Sequence, residues 1–104
     1  MSAHNLPVAL SPEARQDLRD IEVYTLLEWG AEQWQIYEDR LWKSLMSLGN
    51  APHQGRPRDE LALGYRSLVV ERHVIFYQVL SAQVSVVRIL NGRMDARRAL
   101  RRKP

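Results

Sequence analysis

The sequence predicts an α+β fold in two layers: an N-terminal strand, an antiparallel helical hairpin, then a three-stranded antiparallel meander and a short basic C-terminal helix. Three observations lead there. Residues 12–48 carry two apolar stripes at helical spacing, divided by Gly30. Residues 65–90 hold three runs rich in β-branched and aromatic residues, separated by breaks of two and three residues. The chain has only 104 residues, of which 45% are hydrophobic, so one core in a single domain over 1–104 must serve every element.

Leu6, Val8 and Leu10 alternate with Asn5, Pro7 and Ala9, the two-residue period of a short strand with Pro7 near its start. Ser11 before Pro12 reads as a helix start, because the serine oxygen accepts a bond from a free first-turn amide and proline has no amide to lose. The stripe Ala14, Leu18, Ile21, Thr25 and Leu26 continues this helix, leaving Arg15, Asp17, Arg19, Asp20 and Glu22 largely off it. Gly30 offers a left-handed stop. A second helix over about 31–48 carries Trp34, Tyr37, Leu41, Leu45 and Leu48 and ends at Gly49, Asn50 and Pro52. Residues 50–63, with two prolines and a glycine, read as a surface loop. Strands at 65–70, 73–80 and 84–90 follow, and residues 94–102 add a terminal helical turn or two.

Cysteine is absent, which removes disulfides, thiolate metal sites and thiol nucleophiles together. No apolar run reaches the length of a membrane span and the first ten residues lack a secretory pattern, so a cytoplasmic protein is expected. His4 and His53 stand far from any second ligand, and no metal site or cofactor is expected. The net charge of +3 conceals an asymmetry: residues 1–50 carry four basic and eight acidic groups, residues 51–104 eleven basic and four acidic. Residues 88–104 alone hold seven basic groups against Asp95, a block that attracts acidic protein surfaces or phosphates.

The last two strands are apolar on both sides. Val74, Phe76, Gln78 and Leu80 oppose Ile75, Tyr77 and Val79; Val84, Val86, Arg88 and Leu90 oppose Ser85, Val87 and Ile89. A helical hairpin covers one face of a sheet, so the second face needs another cover: the C-terminal segment can supply some of it, and what it leaves open is expected to be a protein-binding surface, with Val74, Phe76, Gln78 and Arg88 as contacts. Phe76→Asp is then expected to weaken partner binding while leaving a folded monomer.

Several segments resemble the ParE branch of the RelE/ParE toxin superfamily. They are Leu10-Ser11-Pro12-Glu13-Ala14 with Asp17-Leu18 and Ile21, Tyr24, Trp29-Gly30, Tyr37, Gly55-Arg56-Pro57, Tyr65-Arg66, the run His73 through Tyr77, and Val87 through Leu90 before Gly92-Arg93-Met94-Asp95. The resemblance spans about residues 8–100. It implies a four-stranded sheet with the first strand beside the last, a ParD-like antitoxin as partner, and DNA gyrase as the target of a non-enzymatic inhibitor, with Arg93, Arg97 and Arg98 facing that target. Trp34, Trp42 and Asn91 depart from the usual pattern.

Two other functions have residues in their favour. A RelE-like, ribosome-dependent endoribonuclease needs a base, an acid and cations, and Glu71, His73, Tyr77, Arg66, Arg88 and Arg93 are of the right types. Against it, Glu71 and Arg72 are expected to point to solvent from a tight turn and His73 to be a hydrogen-bonded structural residue, so no catalytic residue is assigned. A nucleic-acid-binding module would rest on the basic tail, but aromatics do not interleave with those arginines, and direct nucleic-acid binding is not expected.

Overall fold

A computed structural model describes residues 5–100. His4 and the end of the expected basic tail, Arg101, Arg102 and Lys103, lie outside the described residues. Strand β1 (Val8–Leu10) begins after Pro7, which has no amide hydrogen but whose carbonyl accepts from the Val84 amide at 2.9 Å. Helix α1 (Pro12–Trp29) starts where Ser11 Oγ accepts from the Ala14 amide at 2.9 Å and donates to the Val87 carbonyl at 2.7 Å. One hydroxyl thus caps the helix and ties it to the sheet. Its buried stripe is Ala14, Asp17, Ile21 and Thr25, so Asp17 sits on the inward face and not off it as the sequence suggested.

Gly30 separates α1 from α2 (Ala31–Asn50) with φ 93° and ψ 171°, a conformation essentially restricted to glycine. Its amide closes α1 on the Thr25 and Leu26 carbonyls, and its carbonyl accepts the Trp34 amide of α2. Helix α2 runs through Gly49, which the sequence marked as a stop. The glycine serves close approach instead: a side-chain carbon there would collide with the Leu6 carbonyl oxygen.

Five strands, not four, form the sheet in the order β1-β5-β4-β3-β2, with β1 parallel to β5 and the other pairs antiparallel. The added strand is β2 (Arg56–Pro57), inside the expected loop, paired with β3 (Tyr65–Val70) at Ser67 and Arg66. An edge position tolerates Pro57. The fully buried Tyr77 of β4 (His73–Val79) fixes this segment, its hydroxyl donating to the Pro52 carbonyl at 2.7 Å and accepting from the Gly55 amide at 2.9 Å. Arg66 reinforces it from Nε to the Gly55 carbonyl at 3.0 Å.

Strand β5 (Val84–Asn91) carries a bulge: Phe76 faces Arg88 and Tyr77 faces Val86, so Val87 has no counterpart. The expected alternation breaks there. Val84, Val86 and Ile89 join Ile75, Tyr77 and the helices in the main core, whereas Val87 and Leu90 turn to the opposite side. That opposite side is not bare. Phe76 and Leu90, each 2% exposed, form a second cluster with Leu100, and Leu61, Tyr65, Ala96 and Ala99 pack against them. The segment before β3 and α3 (Ala96–Leu100) provide this cover, which corrects the expectation of Phe76 as a contact presented to a partner. Asp95 caps α3, its Oδ1 accepting from the Arg98 amide at 3.2 Å.

Candidate functional site

The cover over the second face is incomplete. Between α3 and the segment before β3 lies an open groove of about 360 Å³, floored by Val74, Phe76 and Leu90 and rimmed by Arg58, Asp95 and Arg97. Arg58 spans one wall, its guanidinium carbon 5.7 Å from the Phe76 ring centre, with Nε on Glu60 at 2.7 Å and Nη1 on Ser67 Oγ at 3.2 Å. Arg97 bridges the walls through the Glu60 carbonyl at 3.1 Å. Val74 and Arg97 therefore belong to the groove; Gln78 lies further along β4, half-buried opposite Tyr65 and Ser85. Arg93 and Arg98 are exposed beside it.

Arg88 is spoken for within the chain. Its Nε and Nη2 donate to the two carboxylate oxygens of Asp17 at 2.8 and 2.9 Å, and its Nη1 reaches the Ala99 carbonyl at 3.4 Å. Asp17 also accepts the Ile89 amide at 2.9 Å. The fork geometry of the pair matches a guanidinium to a carboxylate. Beyond Val86 strand β5 has no β1 neighbour, so Arg88 at the bulge can link α1 to α3.

A second recess, about 270 Å³, opens at the tip of the hairpin between the end of α1, the start of α2 and the β3–β4 turn. Its floor is polar. The Tyr37 hydroxyl donates to the Val70 carbonyl at 3.0 Å and lies 2.6 Å from His73 Nδ1. The Tyr37 hydroxyl thus engages Nδ1 and leaves Nε2 of His73 for the recess. Burial, aided by the Arg72 charge and opposed by Asp17, lowers His73 from the ordinary histidine value. Burial and the neighbouring Glu71 push the Tyr37 phenol up to about 12. Glu71 is exposed, as expected of the turn, and pairs at the surface with Arg40.

Because folding lowers the His73 pKa, the unfolded chain binds the extra proton below the ordinary value of 6.5. Stability is thus fully present above that pH and is lost as pH falls through the folded-state value. The thermal midpoint is expected to drop between about pH 7.5 and about pH 5, and less steeply in His73→Gln. Equal slopes for the two proteins in thermal melts would remove His73 as the source.

The six residues considered for RNA cleavage are not gathered. Tyr77 and Arg66 hold the β2 segment, Arg88 holds Asp17, and Arg93 lies beyond β5. Only Glu71 and His73 share a recess. Sequence reasoning missed Trp29, Tyr37, Arg72 and Asn91 as its other walls; the signal available was Tyr24 and Trp29, aromatics lying off the buried stripe of α1. Among the described residues no three or more histidine, aspartate or glutamate side chains form a metal-holding group, and no helix is long and apolar enough to cross a membrane.

A strand, a hairpin of helices and a meander, with a groove on the side away from the helices, place the chain among the small two-layer RelE/ParE-like folds. In a solved structure of a chromosomal ParDE TA system from P. aeruginosa, one chain shares this fold with a TM-score of 0.73 and 20% identity, over 85% of this chain and 97% of that one. Residues 8–96 match the family described as the ParE toxin of the type II toxin-antitoxin system, parDE. Toxin ParE1 of Caulobacter vibrioides is 36% identical over 91 residues, and Toxin ParE1 of Mycobacterium tuberculosis 37% over 92, each alignment covering 88% of this chain and 94% of the relative. The chain belongs to the ParE toxin family of type II toxin–antitoxin systems.

Proposed function

We propose that residues 1–104 act as one unit in the cytoplasm, inhibiting DNA gyrase by binding it without catalysis and being neutralised by a ParD-like antitoxin. The groove above Val74, Phe76 and Leu90 carries the antitoxin half of this reading. It combines an apolar floor with Arg58 and Arg97 on its rim, the composition expected of a seat for an acidic, amphipathic segment that orders on binding. Val74 contributes to that seat, Phe76 and Leu90 lie buried beneath it as its support, Gln78 lies on the same strand beyond it, and Arg88 holds α3 in position. Arg93, Arg97 and Arg98, exposed on the adjoining basic segment, meet the target. That the structurally similar P. aeruginosa chain comes from a ParDE TA system supports an antitoxin of the ParD kind.

The test is induced expression in bacteria with and without a ParD-like protein, followed by separate assays of gyrase supercoiling and ribosome-dependent transcript cleavage with purified protein. Supercoiling should fail in the presence of the toxin and recover with the antitoxin. Reversing Arg93, Arg97 and Arg98 to glutamate should weaken gyrase inhibition at least about tenfold, the loss of steering and of rim charge pairs together. Cleaved transcripts with unaffected supercoiling would replace this reading by the endoribonuclease one.

A further inference from the structure

The hairpin-tip recess has features that neither stability nor the groove accounts for. His73 and Asn91 are direct cross-strand partners, so their side chains stand side by side on its floor. His73 Nδ1 is engaged by Tyr37, which leaves Nε2 for a ligand. Asn91 Oδ1 is occupied by the Arg93 amide at 2.9 Å, which leaves its NH2 group as a donor. An imidazole nitrogen beside an amide donor matches the edge of a nucleobase, as adenine is read through its N6 hydrogen and a neighbouring ring nitrogen.

The walls suit the rest of such a ligand. Trp29 is 55% exposed and Tyr24 56%, giving an indole and a phenol for stacking. The Arg72 guanidinium carbon lies 5.2 Å from the Trp29 ring centre. A stacked guanidinium keeps its in-plane N–H donors free. Arg40 engages Glu71, and among the described residues Arg72 has no ion-pair partner.

We propose that this cleft binds one nucleoside monophosphate unit, its base between the Trp29 and Tyr24 side chains with its edge on His73 and Asn91, and its phosphate on Arg72. A peptide aromatic is the weaker fit. It would bury the histidine, asparagine and Gln33 groups without pairing them, at about 1–3 kcal/mol for each unsatisfied group. The unit can come from a free nucleotide or from a single strand, and the two differ in the contacts made by flanking phosphates. The inference does not rest on gyrase or antitoxin binding.

The test is an NMR titration of the full chain, following the Trp29 indole and the Asn91 side-chain amide. The probes are the four ribonucleoside 5′-monophosphates, ribose 5-phosphate, a short single-stranded oligonucleotide and a phenylalanyl-aspartate dipeptide. At least one monophosphate should shift both groups saturably with Kd on the order of 1 mM or below. Ribose 5-phosphate, without a base, should not. Tighter, salt-sensitive binding of the oligonucleotide assigns the source to a single strand, and equal affinity assigns it to free nucleotide; either supports the site. Trp29→Ala and Asn91→Ala should each weaken binding about tenfold while the chain stays folded, the lost Arg72 stacking and the lost Arg93 amide hydrogen bond lowering the thermal midpoint by only a few degrees. No saturable shift up to about 10 mM nucleotide, shifts unaltered by both substitutions, or saturation by the dipeptide alone would overturn the proposal.

Discussion

Phe76→Asp is expected to leave the chain largely unfolded at room temperature. Phe76 is 2% exposed, in contact with a second cluster that includes Leu90 and Leu100. Truncating such a phenylalanine costs about 3–5 kcal/mol in lost burial and cavity. A carboxylate adds a desolvation penalty of several kcal/mol for an ion taken out of water. Arg58 lies over the ring and could pair with the new charge, but its donors are already directed at Glu60 and Ser67, so relief is partial. The sum approaches the roughly 5–15 kcal/mol that holds a domain together. Circular dichroism and urea titration check it: a cooperative native transition near that of the unaltered protein would show that the cover over Phe76 does not form in solution. Phe76→Leu is the control, expected to cost less than about 1.5 kcal/mol and so to leave antitoxin binding measurable in a folded protein.

That reversal shows where the sequence was legible. Helical spacing and the Ser11-Pro12 start locate α1, because a cap and a stripe are local signals, and the β-rich runs locate β3, β4 and β5. Two-sided hydrophobicity in β4 does demand a second cover. The sequence offers the C-terminal segment as part of that cover, and α3 supplies it through Ala96 and Leu100; the share of Leu61 was not legible, because it packs on the Phe76 cluster from a short, weakly periodic segment. The bulge at Val87 was equally hidden, since a strand's alternation predicts faces only while the register holds. Strand β2 escapes notice because two residues including a proline carry no period, and its order comes from the buried hydroxyl of Tyr77, 22 residues from Gly55. For the sites, residue types were visible but neighbours were not. Val74, Phe76 and Arg97 do line one groove, whereas His73 and Asn91 meet only through strand pairing.

Asp17→Ala should cost about 3 kcal/mol, the lower end of the range for breaking a buried ion pair, because the Arg88 side chain retains 24% exposure and part of its hydration. Three donors lose their acceptor together: Arg88 Nε, Arg88 Nη2 and the buried Ile89 amide. Asp17→Asn keeps the shape and one acceptor but turns an amide donor toward the guanidinium, so an intermediate loss of about 1–3 kcal/mol is expected. Arg88→Met on the Asp17→Leu background removes both charges and should recover part of the loss, leaving chiefly the unpaired Ile89 amide. Urea unfolding of the single and double variants gives the coupling directly. A purely local pair would stop there, but Arg88 also reaches the Ala99 carbonyl, so freeing it should loosen α3. Amide exchange at Ala99, whose hydrogen bonds to the Asp95 carbonyl, should then accelerate beyond what the global stability loss requires. Exchange there that merely tracks global unfolding would confine Asp17 to the α1–β5 junction and leave the groove's outer wall to Leu100 and Arg97 alone.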